Sequence, residues 1–186
     1  MKIPLLLFTS ILMFLANPVK AAFVDAYEAT KWSTSIDKGS INLFGAPNSI
    51  SMTSSNSGTG SHDQDFTITA AGNGVVTFDW AFVTTDTKQG PKFDPFGVLL
   101  NGVFMQLTNN NAGKSQSGSY SLMVNAGDVF GFRAHSTNSK FGSATTIISN
   151  FSAPSPIPIP SAIWLMGIPI IGFLVKKHAL RKISVR

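Results

Sequence analysis

The chain has 186 residues, room for one domain of ordinary size plus targeting segments, and no cysteine, so disulfides, thiolate metal sites and cysteine nucleophiles are excluded. Its formal net charge of +5 misleads: seven of the fourteen basic residues (Lys2, Lys20, Lys176, Lys177, Arg181, Lys182 and Arg186) lie at the two ends. Residues 22–160 hold the other seven against all nine acids, a net charge of −2, which excludes a nucleic-acid-binding domain with its own basic surface.

Residues 1–21 have the make-up of a secretory signal. Lys2 supplies the positive start, Ile3 to Ala16 an apolar run broken by Thr9 and Ser10, and Asn17-Pro18 a helix break before Ala21 and Ala22. Cleavage is expected after Ala21, because a cut after Ala22 would place Lys20 three residues upstream. Such a segment directs the chain to the Sec translocon.

Residues 22–152 are expected to form an all-β domain. Charged residues are only 12% of the chain, Gly, Ser, Thr and Asn are abundant, and no long helical period occurs between the ends. Three short strands are expected at Trp32–Ile36, Ile41–Phe44 and Ser49–Thr53. Phe66 to Ala70 alternates apolar and polar residues; Val76 to Phe82 does so more strongly, placing Val76, Phe78, Trp80 and Phe82 on one face. Ala71-Gly72-Asn73-Gly74 turns the chain between them. Phe96–Leu100 and Val103–Leu107 flank Asn101-Gly102, a pair suited to the positive φ angles of a tight type I′ hairpin. Tyr120–Val124, Val129–Ala134 and Ala144–Phe151 complete eight or nine strands. Without helical crossovers parallel pairing is ruled out, so the expected fold is an antiparallel two-sheet sandwich of jelly-roll type.

Residues 153–160 form a proline-rich, extended linker, and residues 161–175 are uncharged and mostly apolar. Fifteen helical residues reach roughly 22 Å, short of roughly 30 Å of hydrocarbon, so the flanking prolines or the stems of Lys176 and Lys177 must complete a transmembrane helix. Residues 176–186 are a basic tail expected to stay cytoplasmic.

This three-part tail resembles the PEP-CTERM sorting signal, in the variant whose motif reads Val-Pro-Leu-Pro-Ala followed by Trp-Leu and Gly. The matching residues are Ile157, Pro158, Ile159, Pro160, Ser161 and Ala162, then Trp164, Leu165 and Gly167, with Lys176, Lys177, Arg181 and Lys182 as the membrane stop. No Pro-Glu-Pro is present. The resemblance implies recognition by an exosortase-type membrane processing enzyme, delivery to the cell surface or matrix, and association with exopolysaccharide or biofilm. Phe78 to Phe82, Asp94 to Phe104, Gly127 to Phe132 and Ala144 to Phe151 are similar to a β-sandwich module of such exported proteins, which implies location and fold but no chemistry.

No catalytic constellation is legible. His62 is expected in a Gly/Ser loop beside Asp63 and Asp65, His135 just after a strand, and His178 in the tail; no Gly-x-Ser-x-Gly elbow occurs. The chain is therefore expected not to be an enzyme. Asp63, Asp65, Asp86 and Asp94 supply the hard oxygens that calcium takes, but their spacing matches no EF-hand and no cofactor is expected. Of Trp32, Trp80, Phe93, Phe104 and Tyr120, which can stack on sugar rings, Trp80 reads as core, and Trp32, Phe93 and Phe104 remain as surface contacts. Two functions follow: a surface or matrix protein attached through its tail, or an extracellular glycan-binding module.

Overall fold

The computed structural model describes residues 22–88 and 90–155. Among them run ten strands: β1 Ser33–Ile36, β2 Ser40–Asn42, β3 Ser49–Thr53, β4 His62–Thr69, β5 Gly74–Thr84, β6 Phe96–Leu100, β7 Val103–Gln106, β8 Ser115–Val124, β9 Val129–Ser136 and β10 Ala144–Ser152. Two five-stranded sheets result, sheet A in the order β1-β4-β9-β6-β7 and sheet B in the order β2-β3-β10-β5-β8. Every pairing is antiparallel. The protein is thus an all-β sandwich, with short 3₁₀ turns as its only helical pieces among the described residues.

The alternation read from sequence decides which side chains meet between the sheets. In β5, Val76, Phe78, Trp80 and Phe82 are buried as their phase requires; in β9, Phe130, Phe132 and Ala134 oppose them. Asn101 and Gly102 have φ angles of 49° and 83°, so the β6–β7 hairpin turns as its Asn-Gly pair dictates. The turn at 71–73 instead carries the chain from sheet A to sheet B. It is pinned to the similar crossing at 125–128, where Ala70 N–H donates to Asp128 O and Gly127 N–H to Ala70 O.

Aromatic side chains dominate the core. Trp32 stacks on Phe66 at 4.5 Å and Phe23 on Phe151 at 4.7 Å. Each such ring buried contributes about 1.5–3 kcal/mol of transfer free energy. Contrary to its expected place among the surface aromatics, Trp32 is only 6% exposed, because the turns Asp25–Tyr27 and Ala29–Lys31 fold inward and its Nε1–H donates to Tyr27 O at 3.0 Å. Tyr27 in turn receives Ala71 N–H and donates to Pro154 O at 2.7 Å. Burial raises the pKa of its hydroxyl.

Two further expectations are corrected. β4 begins at His62, so His62, Asp63 and Asp65 belong to a strand and not a loop, and His135 lies inside β9 and not after it. Gln64, fully buried between those acids, explains the early start: its Oε1 accepts from Asp37 and Gly39 N–H and its Nε2 donates to Asp37 O, fastening the β1–β2 turn. β8 also starts five residues early, at Ser115, through a Ser/Gly stretch that has no apolar alternation to mark it.

Among the described residues no helix is long and apolar enough to cross a membrane. The expected signal (1–21), the sorting motif Ile157 to Gly167, the apolar run and the basic tail with His178 lie outside the described residues.

Candidate functional site

The outer face of sheet A collects three of the polar residues that the sequence singles out, Asp63, Asp65 and His135. Register sets one residue per strand in a row: Ser35 beside Asp65, Asp65 beside Arg133, Arg133 beside Gly97, and Gly97 beside Gln106. Along the neighbouring row Asp63 faces His135. Period-two geometry places all of these on the face opposite the buried Phe66, Phe132 and Phe96.

Arg133 is the hub. Its Nε and Nη2 both donate to the Asp65 carboxylate at 2.6 Å, and its Nη1 lies 3.1 Å from Asp63 Oδ2. The bidentate bond to Asp65 raises the guanidinium pKa further, so this cation is fixed. Asp63 also meets His135 Nδ1 at 2.6 Å. The Phe104 ring lies 5.9 Å from the guanidinium, within cation–π reach. Phe104 comes this close because its neighbour is glycine: a Cβ at Gly97 would fall 2.8 Å from the Phe104 ring and 2.1 Å from Met105 O. Gly131, on the same face, is equally constrained, its Cβ position being 2.1 Å from Phe66 O.

Chemically this is a platform of fixed acceptors (Asp63, Asp65), fixed donors (Arg133, Gln106) and one half-buried aromatic face. It contains no nucleophile held against a base. At neutral histidine its charge is −1, from two carboxylates against one guanidinium. Such alternating acceptors and donors suit hydroxyl groups, each of which both gives and takes a hydrogen bond.

The remaining candidates lie elsewhere. His62 is nearby on β4 but faces Asp37 at 2.7 Å and Thr59 O at 3.0 Å. Asp86 and Asp94 are buried in the segment between β5 and β6. Ser54 Oγ donates to Asp94 Oδ1 at 2.9 Å, Thr84 Oγ1 lies 3.5 Å from its Oδ2, and burial pushes its pKa up to about 6. Among the described residues no group of three or more His, Asp, Glu or Cys is arranged to hold a metal ion. Trp80 is buried as expected, Tyr120 is half-buried against Phe78, and Phe93 is half-buried near Lys92.

Sequence reasoning does not single out Arg133, Gln106 or Phe44. The first two are visible once the alternation of β9 and β7 is extended to polar positions. Phe44, 96% exposed in the β2–β3 connection, carries no periodic signal.

No family model and no curated protein matches the chain. Solved structures similar to it include a family 35 carbohydrate-binding module from Clostridium thermocellum, at 11% identity over 61% of this chain and 90% of that one, with a TM-score of 0.35. A module of the same family from Paenibacillus barcinonensis matches at 12% identity over 65% and 94%, TM-score 0.34. Rabbit GITRL matches at 18% identity over 47% and 69%, TM-score 0.28. Similarity at this level transfers neither a ligand nor a binding site to the chain.

Proposed function

We propose that the chain is an exported, non-enzymatic surface or matrix protein whose β-sandwich binds neutral extracellular polysaccharide through the outer face of sheet A. The observation that carries the binding reading is the Arg133 hub. One guanidinium locked by Asp63 and Asp65 beside Phe104 presents rigid donors, rigid acceptors and a flat apolar surface together. Rigid groups lose little conformational freedom on binding, which favours recognition of a flexible polymer. The strand order supports the jelly-roll reading of the fold: β3-β10-β5-β8 faces β4-β9-β6-β7, with β1 and β2 added at the edges.

Export and sorting rest on the sequence at the two ends. The N-terminal signal, the Ile157 to Gly167 motif, the apolar run and the basic residues Lys176 to Lys182 form a single itinerary. The chain crosses the inner membrane through the Sec translocon, is held there by residues 161–175, and is processed by an exosortase-type enzyme before reaching the cell surface.

A glycan array probed with the full chain tests the binding reading. Neutral polysaccharides are expected to bind, and Arg133→Ala with Phe104→Ala to weaken binding about ten-fold or more, the loss of about one charged hydrogen bond. Undiminished binding by the double variant would remove sheet A from the reading. Intact mass of the protein recovered from the cell surface tests the itinerary: both ends should be missing, and a species ending at Arg186 contradicts it.

A further inference from the structure

The opposite face of the sandwich carries a second polar site that the sequence does not announce. In β10, Ala144, Thr146 and Ile148 are buried in strict alternation, which would send Asn150 into the core and Phe151 into solvent. The register breaks between Ser149 and Ser152: Ser149 pairs with Asp79 but Ser152 pairs with Thr77, three residues against two. This is a β-bulge, and it resets the phase. Phe151 becomes 1% exposed and stacks on Phe23, while Asn150, at φ 49°, turns outward.

The outward turn has a chemical consequence. Asn150 Nδ2 donates to Asp79 Oδ2 at 2.7 Å, and Ser119 Oγ on β8 donates to Asp79 Oδ1, so the carboxylate is oriented from both sides. Around it lies a depression of about 370 Å³, lined by Thr77, Asp79, Ser119, Ser121, Asn150 and Ser152. That volume lies within the roughly 300–1,000 Å³ of small-ligand sites. A left-handed φ at a residue other than glycine, placed beside a bulge, is the kind of feature that re-aims a side chain for use.

We propose that this depression is a binding subsite for one neutral sugar residue, independent of the sheet A platform. The lining chemistry chooses the ligand class. Four hydroxyls at Thr77, Ser119, Ser121 and Ser152 both donate and accept, as sugar hydroxyls do, and the Asn150 amide adds an acceptor. Asp79 is the single formal charge of the lining and is negative, which disfavours uronates, phosphates and sulfates. With binding sites on opposite faces, one domain engages two polymer chains at once.

Saturation-transfer difference NMR on the purified full chain tests this, with the methyl glycosides of glucose, galactose, mannose and N-acetylglucosamine as probes. At least one glycoside should receive saturation from the protein. In the Arg133→Ala, Phe104→Ala background, which removes the sheet A platform, that transfer should persist, and adding Asn150→Gly should weaken it about ten-fold in affinity, the loss of about one polar anchor. Glycine accepts the positive φ, so Asn150→Gly keeps the bulge while removing the amide. Asp79→Asn gives a second, isosteric variant with the same expected loss, and unchanged melting midpoints show that neither loss is unfolding. Transfer to none of the four glycosides in that background overturns the subsite, as does transfer that Asn150→Gly leaves undiminished. Failure of the glycan array with intact transfer here would remove the platform alone.

Discussion

The two outer faces of the sandwich are built on the same strand geometry and differ in what holds their side chains. On sheet A, Arg133, Asp63, Asp65 and His135 form a lattice in which each charged group restrains the next. On sheet B the outward residues are mainly Ser and Thr with scattered aliphatics; Ser115, Ser117 and Ser119 of β8 face Val83, Ala81 and Asp79 of β5. There Asn150 and Ser119 donate to a single carboxylate, that of Asp79. The comparison separates two ways of making a polar surface rigid. One uses opposite charges that are half-buried and sensitive to the loss of a partner; the other uses backbone geometry, the bulge at Asn150, and short hydroxyl side chains with little entropy to lose.

The largest expected effect breaks the backbone beneath the sheet A face. Gly131→Ala puts a Cβ 2.1 Å from Phe66 O, where neither strand can retreat without tearing the β4–β9 register, so a loss of about 3 kcal/mol or more is expected by chemical denaturation. An unchanged denaturation midpoint would mean that the close approach of β4 and β9 is not required.

A second effect comes from the closed end of the sandwich, where Asp94 is neither on one face nor the other. Its folded pKa of about 6 stands above its unfolded value of 3.8, so the folded state holds the proton more tightly. The stability from protonated Asp94 is full below about pH 4 and disappears as pH rises through about 6; the shift of about two units corresponds to about 3 kcal/mol. Asp94→Asn should flatten the stability profile between pH 4 and 6 relative to wild type. Parallel profiles for the two proteins contradict the assignment.

Arg133→Met sharpens the contrast between the faces. It leaves Asp63 and Asp65 without their cation and should cost about 1–2 kcal/mol, reduced at high salt. The equivalent truncation on sheet B, Ser119→Ala, should cost less than about 1 kcal/mol and show little salt dependence. Equal salt sensitivity of the two variants would erase the distinction. The smallest effect belongs to Phe44→Ser: a side chain 96% exposed should change stability by less than about 0.5 kcal/mol.

Much of the sandwich is legible where one face of a strand is apolar. Phe96–Leu100, Ser49–Thr53 and the Asn101-Gly102 turn emerge from pattern alone, because burial and positive φ each leave a residue signature. The signal fails where stabilisation is polar. Gln64 is buried as deeply as any phenylalanine, yet nothing in the string His62-Asp63-Gln64-Asp65 reveals that its amide will close the β1–β2 turn. The platform is legible only in pieces: Asp63, Asp65, His135 and Phe104 stand out singly, but they converge only through the β4–β9 and β6–β9 registers, which are long-range facts. The bulge at Asn150 is less visible still, since a phase reset needs the partner strand to define it.

The way the chain leaves the domain has a mechanical meaning. β10 is the third of five strands in sheet B, bonded to β3 on one side and β5 on the other, and Pro154 beyond it is tied to Tyr27. A pull applied through residues beyond Ser155 therefore runs along a strand gripped on both edges. The ladder bonds, lying across the strand, must slip together and cannot open in succession like a zip. The Tyr27 bond and the Phe23–Phe151 stack add a clasp where the load enters. A tether pulling in line with β10 would load both ladders in shear.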